Sequence, residues 1–221
     1  METGFLLTTK TRFLKQKPGF KSESFMRRYQ MFVLAVTFAC PLAVLPERAA
    51  IGVQKAGWYE KAVKKIEAKF EPAEAKPGQT VTFKLTVDLN DGYHTYPTKQ
   101  PDEGAENFVN VIKFPKPDGV IFVGTVTDPK DFDVKEEPVL KIKELRTCPG
   151  TVTYTRKAVV SPKATAGEVE VKLEAFRLMV CDKNNCYPSK AVPVAVKFKV
   201  LDGPAVPVEK DFAEEVMKAL K

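Results

Sequence analysis

The sequence predicts an all-β protein, an immunoglobulin-like β-sandwich with a short C-terminal helix. Many short segments alternate apolar and polar residues with a period of two, which is typical of half-buried strands. Turns rich in Pro and Gly separate these segments, and the resulting count of about seven to nine strands is typical of such sandwiches. The lone Trp58 lies outside the candidate strands, so the Cys…Trp…Cys pattern and disulfide core of antibody domains are excluded.

The first element is ambiguous, because residues 58–67 have helical spacing whereas residues 66–70 alternate as a strand does. Residues 80–89 form the clearest strand, with five apolar side chains, from Val81 to Leu89, on one face. Further extended segments are predicted at 93–96, 108–114, 120–126, 151–160, 169–175 and 192–200.

Residues 127–149 are the least regular part of the domain, with three prolines and a run of charges. This composition predicts a loop that is functional or mobile. In the tail, apolar residues recur every four positions and predict an amphipathic helix docked on the domain: Val208, Phe212, Val216 and Leu220.

The net charge of +7 belongs mostly to the N-terminal region. Residues 1–50 contain eight Lys or Arg and three Glu, and so carry five of the seven net positive charges. The basic composition therefore gives no indication of nucleic-acid binding.

Residues 1–50 resemble a leader for export. Within it, residues 26–50 have a positive start followed by an apolar stretch at 31–45, as in a signal peptide, and residues 1–25 suggest that translation begins at Met26. An uncleaved N-terminal anchor and a lipid anchor at Cys40 are the alternatives. We therefore expect an extracytoplasmic, periplasmic protein with an immunoglobulin-like domain at 51–203 and a tail at 204–221.

Two cysteines at the tip of a predicted hairpin are the main candidate site. Cys181 and Cys186 flank four turn-forming residues between the segments 169–175 and 192–200. Directly opposed strand residues lie roughly 4.5–5.5 Å apart at Cα, within reach of a disulfide. Two such cysteines supply the attacking and the resolving thiol of disulfide exchange. Lys183 favours a thiolate and Asp182 opposes it, and a purely structural bridge is the open alternative.

Other chemistry finds little support in the sequence. Two cysteines and the single, distant His94 do not make a zinc site, and we interpret His94 as an ordinary strand residue. No Gly-rich phosphate loop or Ser-His-Asp set is evident. We expect no metal, no cofactor and a monomer.

Three motifs carry a resemblance to the N-terminal periplasmic domain of the DsbD family of thiol:disulfide interchange proteins. They are Cys181-x4-Cys186-Tyr187-Pro188, the segment from Asp91 to Tyr96, and the turn from Pro117 to Val120. The whole match spans about residues 66–200, in the family's order. The loop between the cysteines has four residues here and often five in better-known members.

The resemblance implies an immunoglobulin-like sandwich whose cysteine pair receives electrons from thioredoxin-like or membrane-embedded proteins and reduces periplasmic disulfides. It implies that Cys186 engages partners. It also implies a cap loop in 127–149, with Cys148 at the position of the family's aromatic cap residue and Phe132 as the other candidate. An inert, half-buried thiol is the alternative for Cys148.

Tyr93, Tyr96 and Tyr187 are candidates to pack around the pair, or equally plain core or rim residues. The chain contains no multi-span membrane region and no thioredoxin-like Cys-x-x-Cys, so we expect a separate electron donor. The sequence thus predicts a thiol-disulfide exchange module, with a non-catalytic interaction domain that has a structural disulfide as the alternative.

Overall fold

The computed structural model describes residues 57–221. The predicted leader at 1–50 lies outside the described residues, together with its alternative start, its signal peptide and Cys40. No helix among the described residues is long and apolar enough to cross a membrane.

The described part of the chain is an all-β, immunoglobulin-like sandwich that ends in a helix. Two α-helices stand at its ends, α1 (Trp58–Ala62) and α2 (Lys210–Ala219). The strands between them, in chain order, are β1 (Val63–Glu71), β2 (Glu74–Ala75), β3 (Thr80–Leu89), β4 (His94–Thr95), β5 (Val111–Lys113), β6 (Val120–Thr127), β7 (Asp133–Glu137), β8 (Ile142–Pro149), β9 (Thr151–Val160), β10 (Gly167–Lys172), β11 (Ala175–Leu178), β12 (Lys190–Ala191) and β13 (Ala195–Val200). Short 3-10 turns occur at Glu103–Ala105 and Pro138–Leu140.

One layer is an antiparallel sheet in the order β1-β3-β9-β6. Facing it are two three-stranded sheets, β10-β13-β2 and β12-β11-β5, and a further sheet, β4-β8-β7, carries the loop region beside the cysteines. The core lies between the layers, where Phe70 of β1 packs against Phe83 of β3 and Phe198 of β13 at ring-centroid distances of 5.5 and 5.2 Å.

The predicted strand at 80–89 is confirmed with the same bounds, and its apolar residues are buried at every second position. Both interpretations of the first element are partly right, because a single helical turn runs directly into β1. The predicted pairing of the segments that flank the cysteines is confirmed as well, since β10 and β13 are antiparallel with Val169 opposite Phe198.

The interpretation of residues 127–149 as a loop was wrong. They form an antiparallel hairpin, β7 and β8, and β8 also pairs with β4. All of β7 except its last residue is exposed, and β7 contains no apolar alternation, so only hydrogen bonding to β8 identifies it as a strand. Backbone pairing thus overrides a composition that is typical of loops.

The predicted C-terminal helix is confirmed as α2. Its apolar stripe packs on the outer face of β6 and β9, with Val216 buried against Ile121, Val123 and Val159. Glu215 also accepts a hydrogen bond from the backbone N–H of Gly124 at 2.9 Å, which ties the helix to β6.

Candidate functional site

Cys181 and Cys186 are joined by a disulfide. They oppose each other in an isolated antiparallel bridge, with their Cα atoms 4.0 Å apart. This separation is somewhat shorter than the roughly 4.5–5.5 Å expected of opposed strand residues. The cysteines lie beyond the regular strands, because the pairing of β11 with β12 ends at Leu178 and Lys190.

The loop between the cysteines is held by its own hydrogen bonds. The Asp182 carboxylate accepts from the backbone N–H groups of Asn184 and Asn185, both at 2.7 Å, and from the Tyr187 hydroxyl at 2.6 Å. These bonds, led by that from Tyr187, lower the pKa of Asp182, while the same carboxylate raises the pKa of Tyr187 to about 12. None of these bonds involves sulfur, so none of them depends directly on the disulfide.

The two sulfur-bearing residues differ in their access to solvent. Cys181 is 1 % exposed and belongs to a small apolar cluster with Tyr96, Ile142 and Leu145, whereas Cys186 is exposed. Cys186 is therefore the more accessible of the two to a molecule in solution.

Tyr96 contacts both members of the disulfide. Its hydroxyl oxygen lies 3.0 Å from Sγ of Cys181 and 3.5 Å from Sγ of Cys186. A disulfide sulfur has no hydrogen to give, so Tyr96 is the donor. Burial raises the pKa of Tyr96 to about 12, with Glu137 contributing, so the hydroxyl keeps its proton at neutral pH.

Strand register explains which side chains face the disulfide. His94 and Cys181 exchange two backbone hydrogen bonds of 2.9 Å each, and directly opposed residues of an antiparallel pair point to the same face. The pairing of Thr95 with Cys148 places Tyr96 opposite Thr147, and Asp133 of β7 opposes Thr147 in turn. Alternate residues of β4, β8 and β7 thus form one face next to the cysteines.

A cavity of about 440 Å³ lies on this face. Both cysteines line it, with the following other residues: His94, Tyr96, Phe108, Lys135, Glu137, Leu140, Leu145, Thr147 and 182–185. The Thr147 hydroxyl is buried and has no hydrogen-bond partner within residues 57–221. The cavity therefore has both polar and apolar lining residues, and the Thr147 hydroxyl is buried behind its surface.

A buried network beneath the cavity fixes the strand that carries Tyr96. The Asn110 side-chain nitrogen lies 2.7–2.8 Å from Thr95 Oγ1, the Tyr96 carbonyl oxygen and the Tyr154 hydroxyl. Its side-chain oxygen accepts from the backbone N–H of Met179 at 2.8 Å, and Thr95 donates to the Met179 carbonyl at 2.7 Å. The network thus joins the segment bearing Tyr96 to the segment that leads into Cys181.

Cys148 does not face the disulfide. It alternates with Thr147 along β8, so its side chain points to the opposite face, where it is fully buried in the main core. Burial raises the pKa of the Cys148 thiol to about 11, and Asp128 and Asp133 add to the effect. These findings favour the inert-thiol interpretation, and the expected position of Cys148 as a cap was wrong.

Phe132 also lies away from the pair. Its ring packs against the main core and beneath the Arg146 guanidinium, 4.5 Å from the ring centroid. It lines a different cavity, together with Pro149, Thr151 and Thr153. The expectation that Phe132 covers the disulfide was therefore wrong, because Arg146 extends from the face of β8 that is turned away from it.

Of the three tyrosines expected near the pair, only Tyr96 touches sulfur. Tyr93 packs against the main core. Tyr187 stacks on Trp58 of α1, with ring centroids 5.2 Å apart and planes 4° from parallel, and acts on the site by holding Asp182.

Sequence reasoning missed His94, Thr147, Asn110 and Leu140. The signal for His94 was present, because strand alternation places it on the same face as Tyr96, two residues later. Asn110 and Leu140 carried no such signal, since only tertiary pairing brings them to the site. Within residues 57–221, no group of three or more His, Cys, Asp or Glu side chains is arranged to hold a metal ion.

No protein-family model matches the chain, and no curated protein matches it. Among solved structures it is similar to the N-terminal periplasmic domain of ScsB from Proteus mirabilis, with 16% identity over 70% of this chain and a TM-score of 0.39. It is also similar to BcpA, the major pilin subunit of Bacillus cereus, with 14% identity over 60% of this chain and a TM-score of 0.33. The chain spans 52% of the ScsB domain chain and 39% of the pilin chain. Neither similarity carries an argument at these scores.

Proposed function

We propose that this protein is an exported thiol-disulfide exchange module of the DsbD type. Its Cys181–Cys186 pair relays electrons from a thioredoxin-like or membrane-embedded donor to periplasmic protein disulfides. The observation that carries the proposal is the asymmetry of the pair, with an exposed Cys186 and a buried Cys181 that accepts a hydrogen bond from Tyr96. The leader pattern in residues 1–50 supports export.

In the reducing half-reaction, a donor thiolate attacks Sγ of Cys186. The Cys181–Cys186 bond breaks, and Cys181 leaves with the electron pair as a thiolate. Tyr96 stabilises this charge by the hydrogen bond that it already makes. The second donor thiol then loses its proton and attacks its neighbour's sulfur, which releases Cys186 as a thiolate that takes a proton from solvent. The donor ends as a disulfide and the domain as a dithiol.

Reduction of this disulfide should cost the folded domain little stability. A disulfide that closes so short a loop restricts the unfolded chain least, and the Asp182 hydrogen bonds hold the loop without it. A bridge needed mainly for stability would gain more from joining distant parts of the chain.

The decisive experiment measures the reduction potential of the pair by equilibration with a glutathione series. We expect a value in the range of exchange proteins, roughly −120 to −270 mV. A value below roughly −300 mV would mark a structural bridge and favour a non-catalytic interaction domain instead.

Trapping with single-cysteine variants tests the direction of attack. Cys181→Ser retains the exposed Cys186 and should accumulate mixed disulfides with a thioredoxin-like donor. Cys186→Ser is the matched control, because its remaining thiol is buried and should trap little. Equal trapping by both variants would contradict the assignment of Cys186 as the attacked residue.

A further inference from the structure

His94 is the only histidine of the chain, and it lies next to the reacting sulfur atoms. Its backbone forms a hydrogen-bonded pair with Cys181, so the two Cβ atoms lie about 5.5 Å apart on the same face. The imidazole lines the disulfide cavity and packs edge-on against the Tyr96 ring, with centroids 5.7 Å apart.

We propose that the His94 imidazole takes up a proton when the Cys181–Cys186 disulfide is reduced, and thereby holds the Cys181 sulfur as a thiolate. This inference rests on the proposed exchange function. It names the group that receives one of the two protons in the reducing half-reaction, which the sequence alone did not assign.

In the oxidised state, the surroundings of His94 favour the neutral imidazole, which is then free to take up a proton on reduction. Burial lowers the pKa of His94, and Lys135 lowers it further, against the opposing effects of Asp133 and Asp182. The imidazole is therefore mainly neutral at neutral pH while the disulfide is intact. The other ionisable groups around the cavity are Tyr96, Glu137 and Lys183.

Reduction introduces a new negative charge directly across from this neutral imidazole. A thiolate on the directly paired residue favours the imidazolium form and so raises the proton affinity of His94. Tyr96 cannot take this role, because its hydroxyl, with a pKa of about 12, donates a hydrogen bond but retains its proton. Lys183, on the exposed loop, lacks the strand pairing that fixes His94 opposite Cys181.

The proton balance is then complete. A donor dithiol contributes two electrons and releases two protons to solvent. Solvent returns one proton to the Cys186 thiolate and one to His94, and the Cys181 thiolate and the imidazolium form a neutral pair. By linkage, protonation of His94 favours reduction by the same factor as reduction favours protonation.

The test is an NMR titration of the single histidine in the oxidised and in the fully reduced protein. We expect the proton affinity of His94 to rise at least tenfold on reduction, which is one pH unit in its midpoint. An unchanged midpoint in fully reduced protein would overturn the inference and leave the exchange function standing. A pair that resists complete reduction by excess thioredoxin-like donor would instead count against the exchange function itself.

A second measurement uses the thiolate absorbance of the reduced protein. His94→Gln preserves a polar side chain but removes the titrating ring, and we expect the more acidic thiol to bind its proton about tenfold more tightly. Lys135→Gln is the matched control, since it removes a cation from the same cavity and leaves both the His94 ring and Cys181 in place. If both variants raised the proton affinity of this thiol equally, the positive charge of the cavity in general would stabilise the thiolate. That result would overturn the specific role of His94.

Discussion

Substitution of Tyr96 tests the proposed exchange mechanism most directly. Tyr96→Phe removes one hydroxyl and leaves the buried ring in place. A hydrogen bond to a charged group contributes about 1.5–3 kcal/mol, so we expect reduction by dithiothreitol to slow by about tenfold or more, because the Cys181 thiolate loses its donor. Stopped-flow thiol kinetics measure this rate.

The control for this variant is Tyr187→Phe. It deletes a hydroxyl that bonds to Asp182 and not to sulfur. Similar slowing in both variants would mean that loop geometry, and not stabilisation of the leaving thiolate, sets the rate.

Cys148 gives a prediction of the opposite kind, since its thiol should take no part. Iodoacetamide should label the exposed Cys186 in the reduced native protein and label Cys148 only after unfolding, because the Cys148 thiol is buried and its pKa is raised to about 11. Mass spectrometry identifies the labelled residues. If Cys186→Ser changed the labelling of Cys148 in the native protein, Cys148 would exchange with Cys186. The interpretation of Cys148 as an inert thiol would then be wrong.

Single residues also show the limits of sequence reasoning. The pairing of Cys181 with Cys186 follows from their spacing and the turn between them, and Tyr96 follows from a motif. The caps expected at Phe132 and Cys148 failed because the order of motifs along the chain does not specify which face of a strand a side chain occupies. His94 was dismissed as a lone histidine although the same alternation argument places it beside Tyr96.

At the level of elements, the hairpin of β7 and β8 presents apolar side chains to solvent beside the disulfide cavity. Val139 and Leu140, in the turn between these strands, are 92% and 53% exposed, and Leu140 lines the cavity. Exposed apolar groups next to a reactive site are typical of contacts with partner proteins.

We therefore expect Val139→Ser with Leu140→Ser to slow exchange with a thioredoxin-like protein at least tenfold, because partner contacts are lost. The reaction with dithiothreitol should stay unchanged, since this small reductant needs no docking surface. Measurement of both rates separates the two effects. Met217→Ser, on the exposed face of α2 and 61% exposed, is the control, and equal slowing with both reductants would contradict a docking role.

The strands themselves were predictable to different degrees. β3 and β9 have strong apolar patterns and were predicted with their observed bounds. The predicted strand at 108–114 is only Val111–Lys113. β7 could not be predicted from the sequence, because its side chains are charged or exposed and only hydrogen bonds to β8 define it as a strand.

Across the whole molecule, Asn110 joins strands of different sheets to the segment that leads into the disulfide. Its amide contacts Tyr154 on β9 and the backbone of Tyr96 and Met179. Removing the amide leaves the Met179 N–H without its partner, at a cost of about 1–3 kcal/mol. It also takes one of two hydrogen bonds from Thr95, Tyr96 and Tyr154, whose remaining bonds are to Met179 and to one another.

We expect Asn110→Ala to lower the free energy of unfolding by about 3 kcal/mol or more, measured by urea denaturation. Asn90→Ala is the control, because the Asn90 side chain makes a single hydrogen bond, to the Lys61 carbonyl, in an exposed position. Comparable losses of unfolding free energy in the two variants would show that the buried network stabilises the fold no more than a single exposed hydrogen bond does.

The stacking of Trp58 on Tyr187 couples the tryptophan fluorescence of the domain to the loop that carries Cys186. Trp58 is the only tryptophan, and its partner ring stands one residue from Cys186. Breaking the sulfur–sulfur bond should shift this ring and change the indole emission with the same time course as thiol release, whereas Trp58→Phe should give no signal. An emission that stays constant through complete reduction would show that Asp182 alone holds the loop. A change in emission would allow reduction of the disulfide to be followed in real time without an attached dye.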